Sequence, residues 1–186
     1  SLHGLSPQGY HIVNLIIHLC SSLLVWWLAM LIFQTPRMKD KPISRYSCLI
    51  AFLSALVFAV HPIQTQAVTY IYQRSTIMVS MFYLLSLCLY VRARLSHANK
   101  TTFLLCYAGS LITASLGMFT KETMFTLPLT ILLFEYCFLG RVAYPAGLKR
   151  REGYSRLKYI SPFLFLLLVV PLTIFLTKTI HFKVNG

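Results

Sequence analysis

The chain has 186 residues, of which 57% are hydrophobic and only 11% are charged, and its mean hydropathy is +0.69. Soluble domains contain about 45–50% apolar and about 25% charged residues, and a fold of this size cannot hide the surplus apolar surface from water. The composition therefore excludes a soluble enzyme, a disordered chain and a disulfide-stabilised miniprotein, and it predicts an integral membrane protein.

Six apolar runs predict an all-α, polytopic membrane helix bundle, because a spanning helix needs about 17–25 apolar residues. The runs cover approximately 11–33, 46–60, 76–91, 103–119, 124–139 and 159–177. We expect about six transmembrane helices plus a short interfacial helix, which together form a single partial membrane domain over 1–186. Since the chain begins with Ser1 rather than Met, we expect it to be a fragment of a longer polypeptide.

Basic residues are concentrated on one side of this six-helix arrangement. Thirteen of the 17 Lys and Arg residues lie in the loops 34–45, 92–102 and 140–158. The other four are Arg74, Lys121, Lys178 and Lys183. By the positive-inside rule, the three loops face the cytoplasm, where they would also contact anionic lipids. Membrane orientation and lipid contact account for the positive charge of the loops, so a nucleic-acid partner is not predicted.

Three polar residues of the first run, His11, Asn14 and His18, are spaced i, i+3, i+7 and share one helix face. Polar side chains in a membrane helix either bond to a neighbouring helix or line a polar cavity, and both interpretations stay open. Two histidines without a carboxylate make a poor ligand set, so no metal site is predicted.

The segment 61–74, with the sequence HPIQTQAVTYIYQR, is polar and ends on Arg74. Pro62 ends the preceding helix near His61, and the residues that follow read as a short interfacial helix. Polar and cationic groups at the membrane surface favour the binding of a headgroup or a sugar. A solvated connection between two spans is the alternative.

Lys121 and Glu122 lie between two apolar runs, at a membrane boundary. They form either a structural ion pair or a site where Lys121 meets a phosphate as a point charge. Glu135, at the other end of the fifth run, is expected either to extend its carboxylate to the membrane interface or to pair with one of three arginines: Arg92, Arg94 or Arg141.

Three segments occur in an order that resembles a known family. They are 6–15 (SPQGYHIVNL), 61–74, and Lys121-Glu122 followed by Thr126-Leu127-Pro128. With them the chain resembles, over nearly its whole length, the membrane domain of the transmembrane O-mannosyltransferases that carry tetratricopeptide repeats, particularly their bacterial relatives. That family belongs to the GT-C superfamily of multi-span glycosyltransferases.

The resemblance implies transfer of a sugar, usually mannose, from a polyprenyl- or dolichyl-phosphate donor to a hydroxyl of an acceptor protein. Transfer would occur on the non-cytoplasmic side of a bacterial inner membrane or of an endoplasmic reticulum membrane. No cofactor is indicated beyond the lipid-phosphate-linked donor. By resemblance, the donor and phosphate environment would include His61, Gln64, Gln66, Arg74 and Lys121. The further candidate substrate-binding residues are His11, His18 and Glu122.

Enzymes of the GT-C type usually carry a catalytic Asp or Glu in the first outer loop, which would precede Ser1. The catalytic residue is therefore left unassigned, and the isolated chain is expected to be inactive. Tetratricopeptide repeats are not recognisable in the 186 residues. Two other functions stay open: a noncatalytic membrane scaffold, and a transporter-like or flippase-like module whose polar helix faces line a translocation path.

Overall fold

The computed structural model describes residues 7–61, 74–96, 99–139 and 159–165. Its elements within these ranges are helical, without a strand, so the predicted all-α bundle is confirmed. The α-helices are α1 (Pro7–Phe33), α2 (Ser47–Val60), α3 (Arg74–Leu95), α4 (Lys100–Thr120) and α5 (Leu127–Phe134). Residues 159–165 are also helical. The 3₁₀ helices Pro42–Tyr46 and Glu122–Thr126 precede α2 and α5, and a π-helix, Glu135–Leu139, follows α5.

Within the described residues, four helical stretches are long and apolar enough to cross a membrane. They are His11–Phe33, Pro42–Val60, Ser75–Leu95 and Lys100–Thr120. The fifth apolar run forms the shorter helical stretch Thr123–Leu139. Only 159–165 of the expected sixth span belong to the described residues, and most of the expected interfacial helix after His61 lies outside them.

Local sequence explains where the helices begin and end. His61 is extended, with φ −63° and ψ 127°, because a residue that precedes proline is disfavoured in the helical region. Asn99 caps α4 by accepting a hydrogen bond from the backbone N–H of Thr102 at 3.4 Å. Lys121 is also extended and separates α4 from the 3₁₀ helix that follows. Pro128 lies in the first turn of α5, where its missing N–H costs nothing.

Helix α3 is the centre of the described bundle. It packs against α1 on one side and against α4 on the other, and α1 also packs against α2. Accordingly, 44% of the α3 span is buried against 6% of the span Pro42–Val60. Ser86 of α3 and Ser110 of α4 each donate to the other's backbone carbonyl, at 2.9 and 2.8 Å. Such paired hydroxyls hold two membrane helices at close distance.

A buried ion pair joins the end of α3 to the π-helix. Arg94 Nε lies 2.5 Å from Glu135 Oε1, and Tyr90 donates its hydroxyl to the same oxygen at 2.8 Å. The Glu135 side chain is only 2% exposed. The Arg94 guanidinium also lies 4.4 Å from the ring centroid of Tyr159, a cation–π contact. Of the two expectations for Glu135, pairing with an arginine is therefore confirmed, and Arg94 is the partner.

An aromatic cluster extends from this ion pair to the helix at 159–165. Tyr107 of α4 donates to the backbone carbonyl of Tyr159 at 2.8 Å. The ring of Phe163, which is fully buried, meets the rings of Tyr90 and Tyr107 edge to face. The cluster and the ion pair together attach this last described helix to α3 and α4.

We expect Glu135→Gln to lower the free energy of unfolding by about 3 kcal/mol, because the change leaves the buried Arg94 charge without its counter-ion. Asp40→Asn is the matched control, since Asp40 is exposed and should change that free energy by less than about 0.5 kcal/mol. Denaturant unfolding of the detergent-solubilised full-length protein, followed by circular dichroism, measures both. Equal effects of the two substitutions would contradict a structural role for the ion pair.

Candidate functional site

A cavity of about 430 Å³ lies between α1, α2, α3 and the 3₁₀ helix Glu122–Thr126. We call the end of the bundle that contains it the cavity end, and the end that contains Arg94 the basic end. Apolar side chains, such as Phe58, Ile77 and Leu84, form part of the cavity wall. Its polar lining comprises His18, Ser21, Thr76, Ser80, Tyr83, Thr123 and Thr126.

Helix α1 contributes His18 and Ser21 to the cavity, three residues apart and therefore on one face. His18 Nε2 donates to the backbone carbonyl of Ala59 in α2 at 3.1 Å, because that oxygen can only accept. The imidazole also stacks on Phe58, with 5.6 Å between ring centroids. Asn14, one turn earlier, is 1% exposed and His18 is 6% exposed. The polar face predicted for the first span is thus turned toward the protein at these two residues.

Helix α3 supplies a second polar wall. Thr76, Ser80 and Tyr83 are spaced i, i+4, i+7 and so line one face of the helix. The Tyr83 hydroxyl lies 2.5 Å from Thr130 Oγ1 of α5, within hydrogen-bonding distance. Thr126 Oγ1 lies 3.4 Å from the same phenolic oxygen. These contacts hold α5 and its preceding turn against the cavity side of α3.

Lys121 lies beside the cavity and is half-buried. Its ammonium group donates to Thr76 Oγ1 at 2.9 Å, and Thr76 itself lines the cavity. The extended backbone of Lys121, with φ −160° and ψ 145°, turns the chain back from α4 toward α3. A cation is therefore positioned at one hydroxyl of the polar cavity lining, and hydroxyls can both donate and accept hydrogen bonds.

The other residues predicted for substrate binding occupy the same end of the bundle or fall outside the described ranges. His61 ends α2, two residues after the carbonyl that His18 contacts, and it is exposed. His11 is half-buried, one turn before Asn14. Arg74 begins α3 and Glu122 begins the 3₁₀ helix, but only their backbone is described. Gln64 and Gln66 lie outside the described residues. The roles of all these residues in substrate binding stay predictions.

Thr76, Ser80 and Tyr83 are cavity residues that the sequence reasoning missed, and Thr126 entered it only as part of a segment that carries the family resemblance. Hydroxyl residues are common in membrane helices, where they often bond to their own backbone, so single ones attract no notice. The i, i+4, i+7 spacing of Thr76, Ser80 and Tyr83 is a detectable signal, since it predicts a polar stripe on an otherwise apolar helix.

The fold and the cavity define a polytopic all-α membrane protein with a polar cavity at one end of its helices. Three similar proteins share a description. The chain is 32% identical to Protein O-mannosyl-transferase Tmtc3 of Drosophila melanogaster, over 72% of the chain and 16% of that protein. It is 36% identical to Protein O-mannosyl-transferase F38B6.6 of Caenorhabditis elegans, over 50% of the chain and 12% of that protein. It is 29% identical to human Protein O-mannosyl-transferase TMTC4, over 74% of the chain and 19% of that protein.

These similarities support a place for the chain in the TMTC family of protein O-mannosyl-transferases, as a fragment that spans less than a fifth of the length of these three relatives. The three relatives are animal proteins, and the expected bacterial subtype finds no support among them. No family model matches the chain, and no solved structure matches it.

Gly117 in α4 allows the turn beside the cavity to pack closely. A Cβ at this position would lie 2.7 Å from Met124 Cε and 3.2 Å from Met124 Cγ, and Met124 is fully buried. We expect Gly117→Ala to displace the turn that carries Thr123 and Thr126, and to lower the free energy of unfolding by about 1–3 kcal/mol. Thermal unfolding of the full-length protein in detergent measures this loss.

Gly109→Ala is the control for the Gly117 prediction. The added Cβ would lie 3.3 Å from the Leu89 Cδ1 atom, a contact that a small side-chain movement relieves. A loss at Gly109 as large as the loss at Gly117 would show that close packing against the turn has no special importance.

Proposed function

We propose that this segment contributes the donor-binding region of a membrane glycosyltransferase. The enzyme moves mannose from a polyprenyl-phosphate carrier to a protein hydroxyl on the non-cytoplasmic side. The observation that carries the proposal is Lys121 Nζ, hydrogen-bonded at 2.9 Å to a hydroxyl that lines the cavity. The names of the similar proteins, which describe protein O-mannosyl-transferases, support it.

The distribution of charge supports the proposed side of the membrane. Among the described residues, the basic end carries Arg37, Lys39, Lys41, Arg45, Arg92, Arg94 and Lys100, whereas the cavity end carries Arg74 and Lys121. Basic residues accumulate at the cytoplasmic ends of membrane helices. The cavity end then faces away from the cytoplasm, where Lys121 has no orienting purpose.

The chemistry of the cavity suits a lipid-phosphate sugar. The phosphate carries negative charge that grows as the bond to the sugar breaks, and a positioned cation stabilises it. Lys121 is such a cation. The hydroxyls of Thr76, Ser80 and Tyr83 offer both donors and acceptors to a sugar or to phosphate oxygens. The apolar wall at Phe58 and Leu84 can pack against the first carbons of the carrier.

We expect Lys121→Ala to reduce mannosyl transfer at limiting donor by about 10- to 100-fold. A hydrogen bond to a charged group contributes about 1.5–3 kcal/mol, and each 1.4 kcal/mol is about tenfold. The measurement is the initial rate of transfer from a mannosyl-phosphoryl-polyprenol by the full-length protein, at several donor concentrations.

Lys100→Ala is the matched control for Lys121→Ala, because Lys100 is an exposed lysine at the opposite end of the same helix. It should leave transfer at the wild-type rate, and both variants should reach the membrane in wild-type amounts. Wild-type transfer by Lys121→Ala at every donor concentration would refute the assignment of Lys121 to the donor phosphate.

The membrane orientation has its own test. In sealed membrane vesicles that expose the cytoplasmic face, and with the five native cysteines replaced, an impermeant maleimide should label Lys100→Cys, at the basic end, and should leave Thr123→Cys, at the cavity end, unlabelled until the membrane is permeabilised. Both positions are exposed. The reverse pattern of labelling would place the cavity on the cytoplasmic side and contradict the proposal.

A further inference from the structure

The connection between α1 and α2 folds into consecutive turns at the basic end. Backbone hydrogen bonds of 3.0 Å run from Met38 N to Thr35 O, from Lys41 N to Met38 O and from Ser44 N to Lys41 O. Arg37 Nη1 donates to the carbonyl of Cys137 at 2.9 Å, which ties the connection to the π-helix. These turns enclose an open concavity of about 490 Å³, lined by Lys39, Asp40, Lys41, Pro42, Ser44 and Arg45.

The concavity is positively charged. Lys39, Lys41 and Arg45 are exposed, as is Asp40, the one acidic residue of its lining. Within the described part of the chain, the one salt bridge is that between Arg94 and Glu135. The three cations of the concavity are therefore not neutralised by an ion pair of these residues, and they outnumber the single carboxylate beside them.

An apolar strip leads away from the concavity along α2. The strip begins at Tyr46, the last residue of the 3₁₀ helix. Four residues of α2 continue it at intervals of three or four and so share one helix face: Leu49, Leu53, Val57 and Val60. Their exposed fractions lie between 48% and 68%. The strip starts next to Arg45 and runs toward the cavity end, in the direction that an acyl chain takes from a headgroup into the bilayer.

We propose that the concavity and the strip together bind an anionic glycerophospholipid. Lys41 and Arg45 contact its phosphate and the additional negative charge of its headgroup, and an acyl chain lies along the strip of α2. Charge complementarity selects an anionic headgroup, because each Lys or Arg near a negatively charged lipid surface attracts it. The continuity of the strip with the cationic concavity selects a lipid over a soluble anion, which would make no use of apolar side chains.

The test is native mass spectrometry of the detergent-purified full-length protein, titrated separately with phosphatidylserine, phosphatidylcholine and soluble glycerophosphoserine. Wild type should bind phosphatidylserine more tightly than the other two. The double variant Lys41→Gln/Arg45→Gln should weaken phosphatidylserine binding by about 25-fold, since each charge contributes about fivefold, and should leave phosphatidylcholine binding unchanged. Both side chains are exposed, so its circular dichroism should match that of wild type.

Two single variants distinguish a specific site from diffuse attraction. Asp40→Asn removes the carboxylate of the concavity and should strengthen phosphatidylserine binding several-fold. Lys100→Gln, an exposed cation outside the concavity, should have little effect. The proposal is overturned if the double variant binds phosphatidylserine as wild type does, if Lys100→Gln weakens binding as much as the double variant, or if glycerophosphoserine binds as tightly as the lipid.

Discussion

A bilayer offers no hydrogen-bond partners to polar groups, so each polar group of a membrane-spanning chain needs a partner within the protein. In the described helices, many of these hydrogen bonds form within a single helix. Hydroxyls of Ser21, Ser54, Ser80 and Ser115 each donate to the backbone carbonyl four residues earlier, at 2.8–2.9 Å. Because such a hydroxyl finds its hydrogen-bond acceptor within its own helix, it can face either lipid or protein. Hydroxyl content alone therefore does not determine how helices pack.

Among the described residues, other polar contacts join different helices, and they lie at different depths of the bundle. Ser86 and Ser110 connect α3 to α4 through reciprocal bonds. The ion pair of Arg94 with Glu135 closes the basic end, and Lys121 with Thr76 closes α4 onto α3 at the cavity end. Since each of these pairs would lose its partner if a helix moved, they fix the relative positions of helices that apolar contacts alone would leave free to slide.

The same arrangement separates two kinds of charge. At the basic end, most cations of the described residues are exposed at the expected headgroup level, where anionic lipids are their natural counterparts. At the cavity end, Lys121 is half-buried and donates a hydrogen bond to the hydroxyl of Thr76. Under the two proposals, the cavity end binds the phosphate and the sugar of the donor, and the basic end orients the protein and binds lipid. The proposed transferase and lipid sites thus lie at opposite ends of the bundle.

Helix positions follow closely from the apolar runs, but one boundary shows the limit of that reasoning. The third run was expected to end at residue 91, before Arg92 and Arg94, whereas α3 continues to Leu95. If each charged side chain of a membrane protein is considered separately from possible partners, it indicates a loop. Arginine is a good helix former, and Glu135 compensates the burial of Arg94, so the helix extends through both.

The sequence by itself determined the membrane class, the helical architecture and the charge difference between the two ends, because these depend on composition and on spacing along the chain. It also indicated the buried face at Asn14 and His18. Only the tertiary structure decided that Thr76, Ser80 and Tyr83 meet His18 and Thr126 around one cavity. Residues of α1, α3 and the turn after α4 come together there through helix packing, and no pattern within a single helix specifies which faces of different helices will meet.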